Sequence, residues 1–369
     1  MPISAVDCVQ PAIQHTREQL FRPFHWGQWS RLALVGILAA EFRSGGCSFN
    51  PSAFIPNPRE KRVDEFLPPG FPHIDPAHLA QFLALIGVAL LLAAVLLLLF
   101  IYISSVFRFI LFDSVLRRKC SIGEGWRRWR RTGQRFFFWQ LVFQLVAVVL
   151  LLVVVGIPAL LLFSSGALSA PQQHIGPFLG ALFLFLFLIL VFALVAGSVQ
   201  TLAKDFLVPI MALEDLDFAD GWSRLFALIR QEPGRYLVYL LMKFVLSIAA
   251  AIVFGILAII PALLIVVPAV LAVVAGKAAG LGWTVTTISL TVIFGSLLFV
   301  ILIYVIALVS VPATVFFPAY SIYFFASRYT ALDALLHPAP PAAAPESPVV
   351  PESPPPELPP LPPSPEPIG

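Results

Sequence analysis

The chain reads as an all-α integral membrane protein of about six transmembrane helices, with short amphipathic helices lying in the membrane interface. Three observations predict this. Of 369 residues, 59% are hydrophobic and 12% charged, and the mean hydropathy is +0.92. Soluble domains carry about 25% charged residues, so this surface is too apolar to face water on every side. Leu79 to Phe107 is 29 residues without a charge, where about 20 suffice to span the hydrocarbon as a helix. The apolar runs are continuous, whereas a membrane β-barrel needs alternating segments of about ten residues.

Taken in order, residues 1–23 form a polar cytoplasmic segment and 24–336 the membrane domain. A first span is expected at 24–42. Phe24, Trp26 and Trp29 have interfacial character, and Arg31 opens an apolar stretch that runs to Ala40. The alternative is a signal peptide with Leu32 to Ala40 as its apolar region, although a leader rich in Trp and His makes a poor n-region. Glu41 to Ala77 is the longest polar connection. In it Ser44-Gly45-Gly46-Cys47 resembles a lipoprotein box weakly, with serine where an aliphatic residue belongs. Of the three cysteines (Cys8, Cys47, Cys120) only Cys47 faces outward on this topology, which leaves no intramolecular disulfide there. His73, Asp75 and His78 offer three candidate metal ligands without a familiar spacing, so a solvated loop is expected.

The remaining spans are placed at 79–107, 136–163, 177–202, 236–268 and 285–312. Pro158 lies within the third. Pro261 and Pro268 lie in the fifth, which should be long, tilted or broken there. Residues 108–135 hold nine Lys and Arg, the 164–176 loop none and the 276–284 loop one. A second polar segment runs from Lys204 to Arg235, and the positive-inside rule puts both amphipathic segments and both termini in the cytoplasm of a bacterial inner membrane. Residues 337–369 contain 15 prolines and four glutamates. Such a tail builds no core and should be an extended, disordered arm, with capture of a proline-recognising partner as its functional reading.

The junction between charge and grease is Cys120 to Gln140. On a helix from Ile122 to Thr132, the residues Ile122, Trp126 and Trp129 share one face, and Arg127, Arg128, Arg130 and Arg131 take the other. Indoles backed by guanidiniums describe an elbow lying in the interface. Trp126, Trp129 and Trp222 are the expected interfacial anchors, and the four arginines the expected site for anionic lipid headgroups. The pattern repeats. Glu124-Gly125-Trp126-x-Arg128 returns as Asp220-Gly221-Trp222-x-Arg224, and Ile157-Pro158-Ala159-Leu160-Leu161 returns as Ile260-Pro261-Ala262-Leu263-Leu264. Trp26 to Arg31 offers a degenerate third copy. The unit is an elbow followed by a transmembrane hairpin, in parallel rather than inverted repeats.

Phe206-Leu207-Val208-Pro209-Ile210-Met211-Ala212-Leu213-Glu214-Asp215, Gly221-Trp222-x-Arg224 and Pro233-Gly234-Arg235-Tyr236 together resemble a pattern in bacterial multi-pass proteins. These proteins, many of unknown function, are related to the membrane domain of glycerophosphodiester phosphodiesterases. The resemblance covers about residues 100 to 330. It implies the membrane scaffold alone, because the soluble catalytic barrel of that family is missing from this sequence and hydrolase activity does not carry over.

Catalytic chemistry has little to stand on here. Ion-coupled transport leaves ionisable groups inside spans, and Lys243 is the sole such residue, close enough to the interface to snorkel. Gln140 and Gln144, one turn apart, suit helix packing. No phosphate-cradling loop or nucleophile elbow is visible. Nucleic-acid binding by the basic run is disfavoured because its indoles belong in lipid. The expectation is a protein without enzyme activity or cofactor that organises anionic membrane lipid or a membrane partner. The alternative is a transporter or channel for a hydrophobic or amphiphilic substrate.

Overall fold

The computed structural model describes residues 4–39, 76–164, 175–280, 282 and 284–337. Cys47, His73, Asp75 and the proline-rich residues 338–369 lie outside the described residues. Among those described, every regular element is a helix: α1 (Val9–Phe21), α2 (Trp26–Leu38), α3 (Pro76–Leu116), α4 (Ile122–Ser164), α5 (Ile175–Leu202), a π-turn (Ala203–Leu207), α6 (Val208–Glu214), α7 (Phe218–Gln231), α8 (Pro233–Ala278), α9 (Val285–Ala326) and α10 (Thr330–Leu336).

Five stretches are long and apolar enough to cross a membrane: Ala84–Leu116, Ile122–Pro158, Leu179–Glu214, Pro233–Ala278 and Thr286–Ala326. They correspond to the second through sixth expected spans, each extended into the base, and the fifth also runs on to Ala278 at its other end. The first expected span differs. Residues 26–38 form α2, only 13 residues long, where about 20 are needed. Leu32, Ala33 and Val35 are buried by protein. A Cβ on Gly36 would come 2.8 Å from Thr314 Cγ2, so α2 lies hard against α9. The tight packing makes α2 part of the protein core and not one of the five crossings.

The elbow preceding the third expected span also differs. It does not end before the span begins, because Ile122–Ser164 is one unbroken 43-residue helix that runs through Pro158. Gln134, Arg135 and the aromatics after them supply no break. In the second copy the elbow α7 is separate. Glu232 takes φ −139°, ψ 58°, outside the helical region, as the residue ahead of Pro233 is disfavoured from helical backbone, and α8 starts afresh at that proline.

The buried core sits at one end, where α1, α2, α6, α7 and α10 fill the space between the bases of the five long helices. α3 and α4 pack antiparallel: Gly125 meets Ile110, Gly133 meets Val106, and Ser105 Oγ donates to Gln140 Oε1 at 3.3 Å. α8 and α9 do the same, with Tyr239 stacked on Tyr320 at 5.2 Å. α1 is tied to both hairpins. Tyr320 Oη donates to the Ala5 carbonyl at 3.0 Å, Gln19 Nε2 to the Ser114 carbonyl at 3.0 Å, and His15 Nε2 lies 3.0 Å from the Val115 carbonyl oxygen. Beyond this base the large apolar side chains of 85–100, 142–157, 182–195 and 244–274 are exposed, as surfaces turned toward acyl chains are.

Candidate functional site

The two elbow motifs share one packing device. A Cβ on Gly125 would lie 3.1 Å from Ile110 Cγ1, and one on Gly221 2.7 Å from Leu207 Cδ1. Each glycine lets its elbow sit directly on the base of the preceding long helix. Four residues later, Trp129 and Leu225 occupy equivalent buried positions. The match extends upstream, since Phe109 and Phe206, 97 residues apart, are each fully buried. Phe109 meets Trp129 and Phe136, both at 5.8 Å, and Phe206 meets Tyr236 at 5.4 Å and Tyr239 at 4.9 Å. At Gly27, in the degenerate third copy, an added Cβ would meet nothing within 4 Å, so that segment lacks the device.

The three indoles named from the sequence fall into different surroundings. Trp126 is half-buried against Tyr102 and Phe107. Trp222 is half-buried against Trp139 and Phe226. Trp129 is enclosed, 6% exposed and stacked on Phe109. On the opposite face Arg127, Arg128, Arg130 and Arg131 are all exposed, and among the described residues none of the four makes an ion pair. Arg128 lies over the Trp129 ring at 5.0 Å. The neighbouring basic residues are committed elsewhere. Arg117 pairs with Asp113 at 2.8 Å and Arg118 with Glu18 at 2.9 Å. Arg135 donates to the Asp215 carbonyl at 2.9 Å and pairs with Asp217 at 3.1 Å, which holds the left-handed turn at Asp215 (φ 49°).

A second polar centre was hidden in the sequence. Asp205 and Lys243, each 7% exposed, form a direct ion pair, and Tyr239 Oη donates to the same Asp205 oxygen at 2.8 Å. Lys243 therefore does not snorkel to water; its ammonium is turned into protein. The reason is the π-turn. α5 does not stop before Lys204 but continues through Ala203–Leu207 into α6, and the extra residue in that turn places Asp205 opposite α8. Such π-turns occur frequently at functional sites. Arg108, Lys204, Asp205, Lys243 and Ser321 line a cavity of about 30 Å³, room for about one water. Arg108 occupies the first-copy position that Asp205 fills in the second, and its Nη2 donates to the Ala39 carbonyl at 3.3 Å.

The acidic residue of the 206–215 motif also has a partner. Tyr329 Oη donates to Glu214 in a short hydrogen bond. Burial, then that carboxylate, pushes the Tyr329 hydroxyl pKa well up. Arg328 bonds Glu232 at 3.0 Å and covers the Phe324 ring at 4.0 Å. Burial pushes the Cys8 thiol up to about 11 and also raises that of Cys120, so neither is an activated nucleophile. Among the described residues no cluster of three His, Cys, Asp or Glu is placed to hold a metal ion.

Five lipid-length helices on a protein-filled base define a multi-pass α-helical membrane protein. The chain belongs to a family of unknown function, DUF7544, whose pattern matches residues 3–335. No curated protein and no solved structure matches it. These findings show no link to the glycerophosphodiester phosphodiesterases.

Proposed function

We propose that the protein is a non-catalytic component of a bacterial inner membrane that gathers anionic lipid at the arginine face of its first elbow. The observation that carries this reading is the contrast along one short segment. Arg117, Arg118 and Arg135 have acidic partners, while Arg127, Arg128, Arg130 and Arg131 stand exposed together beside half-buried indoles. Each basic residue near an anionic membrane surface contributes about 1 kcal/mol, so the four together attract headgroups strongly. The buried Asp205 and Lys243 are engaged with one another, which supports a structural rather than a catalytic role for them.

α1 contacts the basal ends of α3 and α9 through Val115 and Tyr323, and α10 packs on α9 and α6 at the same base, so in this reading both described ends lie on the arginine side, which the positive-inside rule makes cytoplasmic. In this reading the proline-rich tail is a cytoplasmic arm for a protein partner.

The test is native mass spectrometry of the purified protein, wild type against the variant with Arg127, Arg128, Arg130 and Arg131 all changed to Ala. Retained phosphatidylglycerol lost in the variant is the expected result. Identical lipid retention would leave the elbow as a mechanical anchor.

A further inference from the structure

The arginines around the first turns of α4 fall into two sorts. Those at the flanks are met by acids from elsewhere in the fold, Arg118 by Glu18 at 2.9 Å and Arg135 by Asp215 and Asp217 at 3.2 and 3.1 Å. Arg127, Arg128, Arg130 and Arg131, between them, are exposed and make no ion pair among the described residues. Glu124, one turn earlier on the same helix, is exposed too and pairs with none of them. Like charges one turn apart on a helix repel, so this face favours a segment that brings several negative charges at once.

Residues 338–369 have that character. They carry Glu346, Glu352, Glu357 and Glu366 and no Lys or Arg, whereas residues 40–75 set Arg43, Arg59, Lys61 and Arg62 against their acids. The point where 338–369 leave the fold is close to the arginines. α10 ends at Leu336 and packs on α6. Tyr329, just before α10, bonds Glu214, and the next residue, Asp215, is held by Arg135 at 2.9 and 3.2 Å. Arg131 and Arg128 lie one and two turns before Arg135, about 6 and 10 Å along the axis. With helical rises and side-chain lengths laid end to end, the path from His337 to Arg128 is at most about 50 Å. A polyproline II chain rises about 3.1 Å per residue, so the 20 positions from His337 to Glu357 span about 62 Å, more than that path.

We infer that the arginine face of α4 is a docking surface for the chain's own acidic, proline-rich segment, with the carboxylates of Glu346 to Glu366 set against the guanidiniums of Arg127, Arg128, Arg130 and Arg131. The face cannot hold this segment and anionic headgroups together, so the two compete. That competition rests on the lipid reading above; the contact itself does not. Exposed ion pairs are individually weak and screened by salt. The tether offsets this by holding the carboxylates near the face at an effective concentration of about millimolar. A partner that captured the prolines would uncover the arginines, which ties the arm to the elbow.

The experiment places a photo-crosslinking amino acid at Val350 of the full-length protein in neutral detergent and maps the crosslinks by mass spectrometry. They should concentrate on 122–135. They should fall at least about threefold when Arg127, Arg128, Arg130 and Arg131 are all changed to Ala, and equally when Glu346, Glu352, Glu357 and Glu366 are all changed to Gln. Salt at about 1 M, which shortens the screening length to about 3 Å, should do the same to the wild type. Elution as wild type in size-exclusion chromatography shows that each variant is folded. In native mass spectrometry the glutamine variant should retain about two- to fivefold more phosphatidylglycerol, the worth of one or two exposed ion pairs. Crosslinks that ignore either set of charges would overturn the inference. So would crosslinks that join isotopically distinct copies, which would make the occupant a second molecule, and so would arginine-dependent lipid retention that is the same with and without the glutamates. A crosslink that needs both sets of charges, with lipid retention indifferent to the arginines, upholds the contact and fails the lipid reading alone.

Discussion

The Asp205–Lys243 pair gives the sharpest prediction, because its parts can be removed one at a time. Both side chains are more than nine-tenths buried, so neither charge can be left to water. Asp205→Asn keeps the shape and an acceptor for Tyr239 Oη but leaves the Lys243 ammonium uncompensated. Breaking a buried pair in this way costs about 3–5 kcal/mol. With an unfolding entropy of about 2.1 cal/mol/K per residue, a chain of this length should lose roughly 4–6 °C in Tm. Lys243→Met should cost a similar amount by stranding the carboxylate. The double variant removes both charges and should return most of the loss, since replacing a buried pair by matched neutral groups is often neutral or stabilising. Thermal unfolding of the detergent-purified protein, followed by size-exclusion chromatography, reads all four corners of the cycle. An Asp205→Asn protein as stable as wild type, or a double variant as poor as the two singles summed, would refute this account of the pair.

Two further outcomes follow from the packing and the titratable groups. Gly133→Ala would place its Cβ 2.9 Å from the Val106 Cα, which is backbone and cannot swing away, whereas Gly221→Ala meets side-chain atoms alone, the flexible end of Leu207 and, at 3.4 Å, Met211. The first should cost about 1–3 kcal/mol and the second less, while Gly27→Ala, with open space around it, should gain about 0.5–1 kcal/mol from helix propensity. That ranking appears directly in the three melting temperatures. His15 gives a pH dependence: burial, then the Arg118 charge, holds its imidazole pKa below the usual 6.5. Above 6.5 folded and unfolded chains are both neutral there; as pH falls below it, the unfolded chain takes up the proton first and stability declines. Melting curves for wild type and His15→Gln should diverge on acidification, with the variant less pH-dependent, and parallel curves would count against the assignment.

Much of the fold is legible in the sequence because lipid imposes a simple rule. A stretch facing acyl chains must be apolar and about 20 residues long, so the long helices stand out without knowledge of their neighbours. The elbow motif is legible for a similar reason, since Gly125 and Gly221 are spaced identically from their tryptophans. What the sequence conceals depends on contacts between distant residues. Residues 24–42 have nearly the composition of a span, yet Gly36 against Thr314 and the buried Leu32 and Val35 make α2 part of the protein core. Trp129 carries the same interfacial signature as Trp126, and only the position of Phe109 encloses it. Asp205 stood in a run of polar residues that resembles a loop. Its partner Lys243 lies 38 positions away, and the π-turn that brings them together has no periodic signature. One clue was available: the 97-residue offset aligns Arg108-Phe109 with Asp205-Phe206, which marks both charges as residues at the root of a long helix.

The unbroken α4 has a mechanical consequence. Its arginine end and its apolar shaft belong to one rod of 43 residues, so the guanidiniums cannot rise or sink in the headgroup layer without swinging the whole shaft. The second copy, interrupted at Glu232–Pro233, has a hinge where the first has a lever. If the proposed lipid binding holds, charge at Arg127 to Arg131 would act on α4 as a whole, whereas in the second copy the break at Glu232 separates the elbow from the shaft.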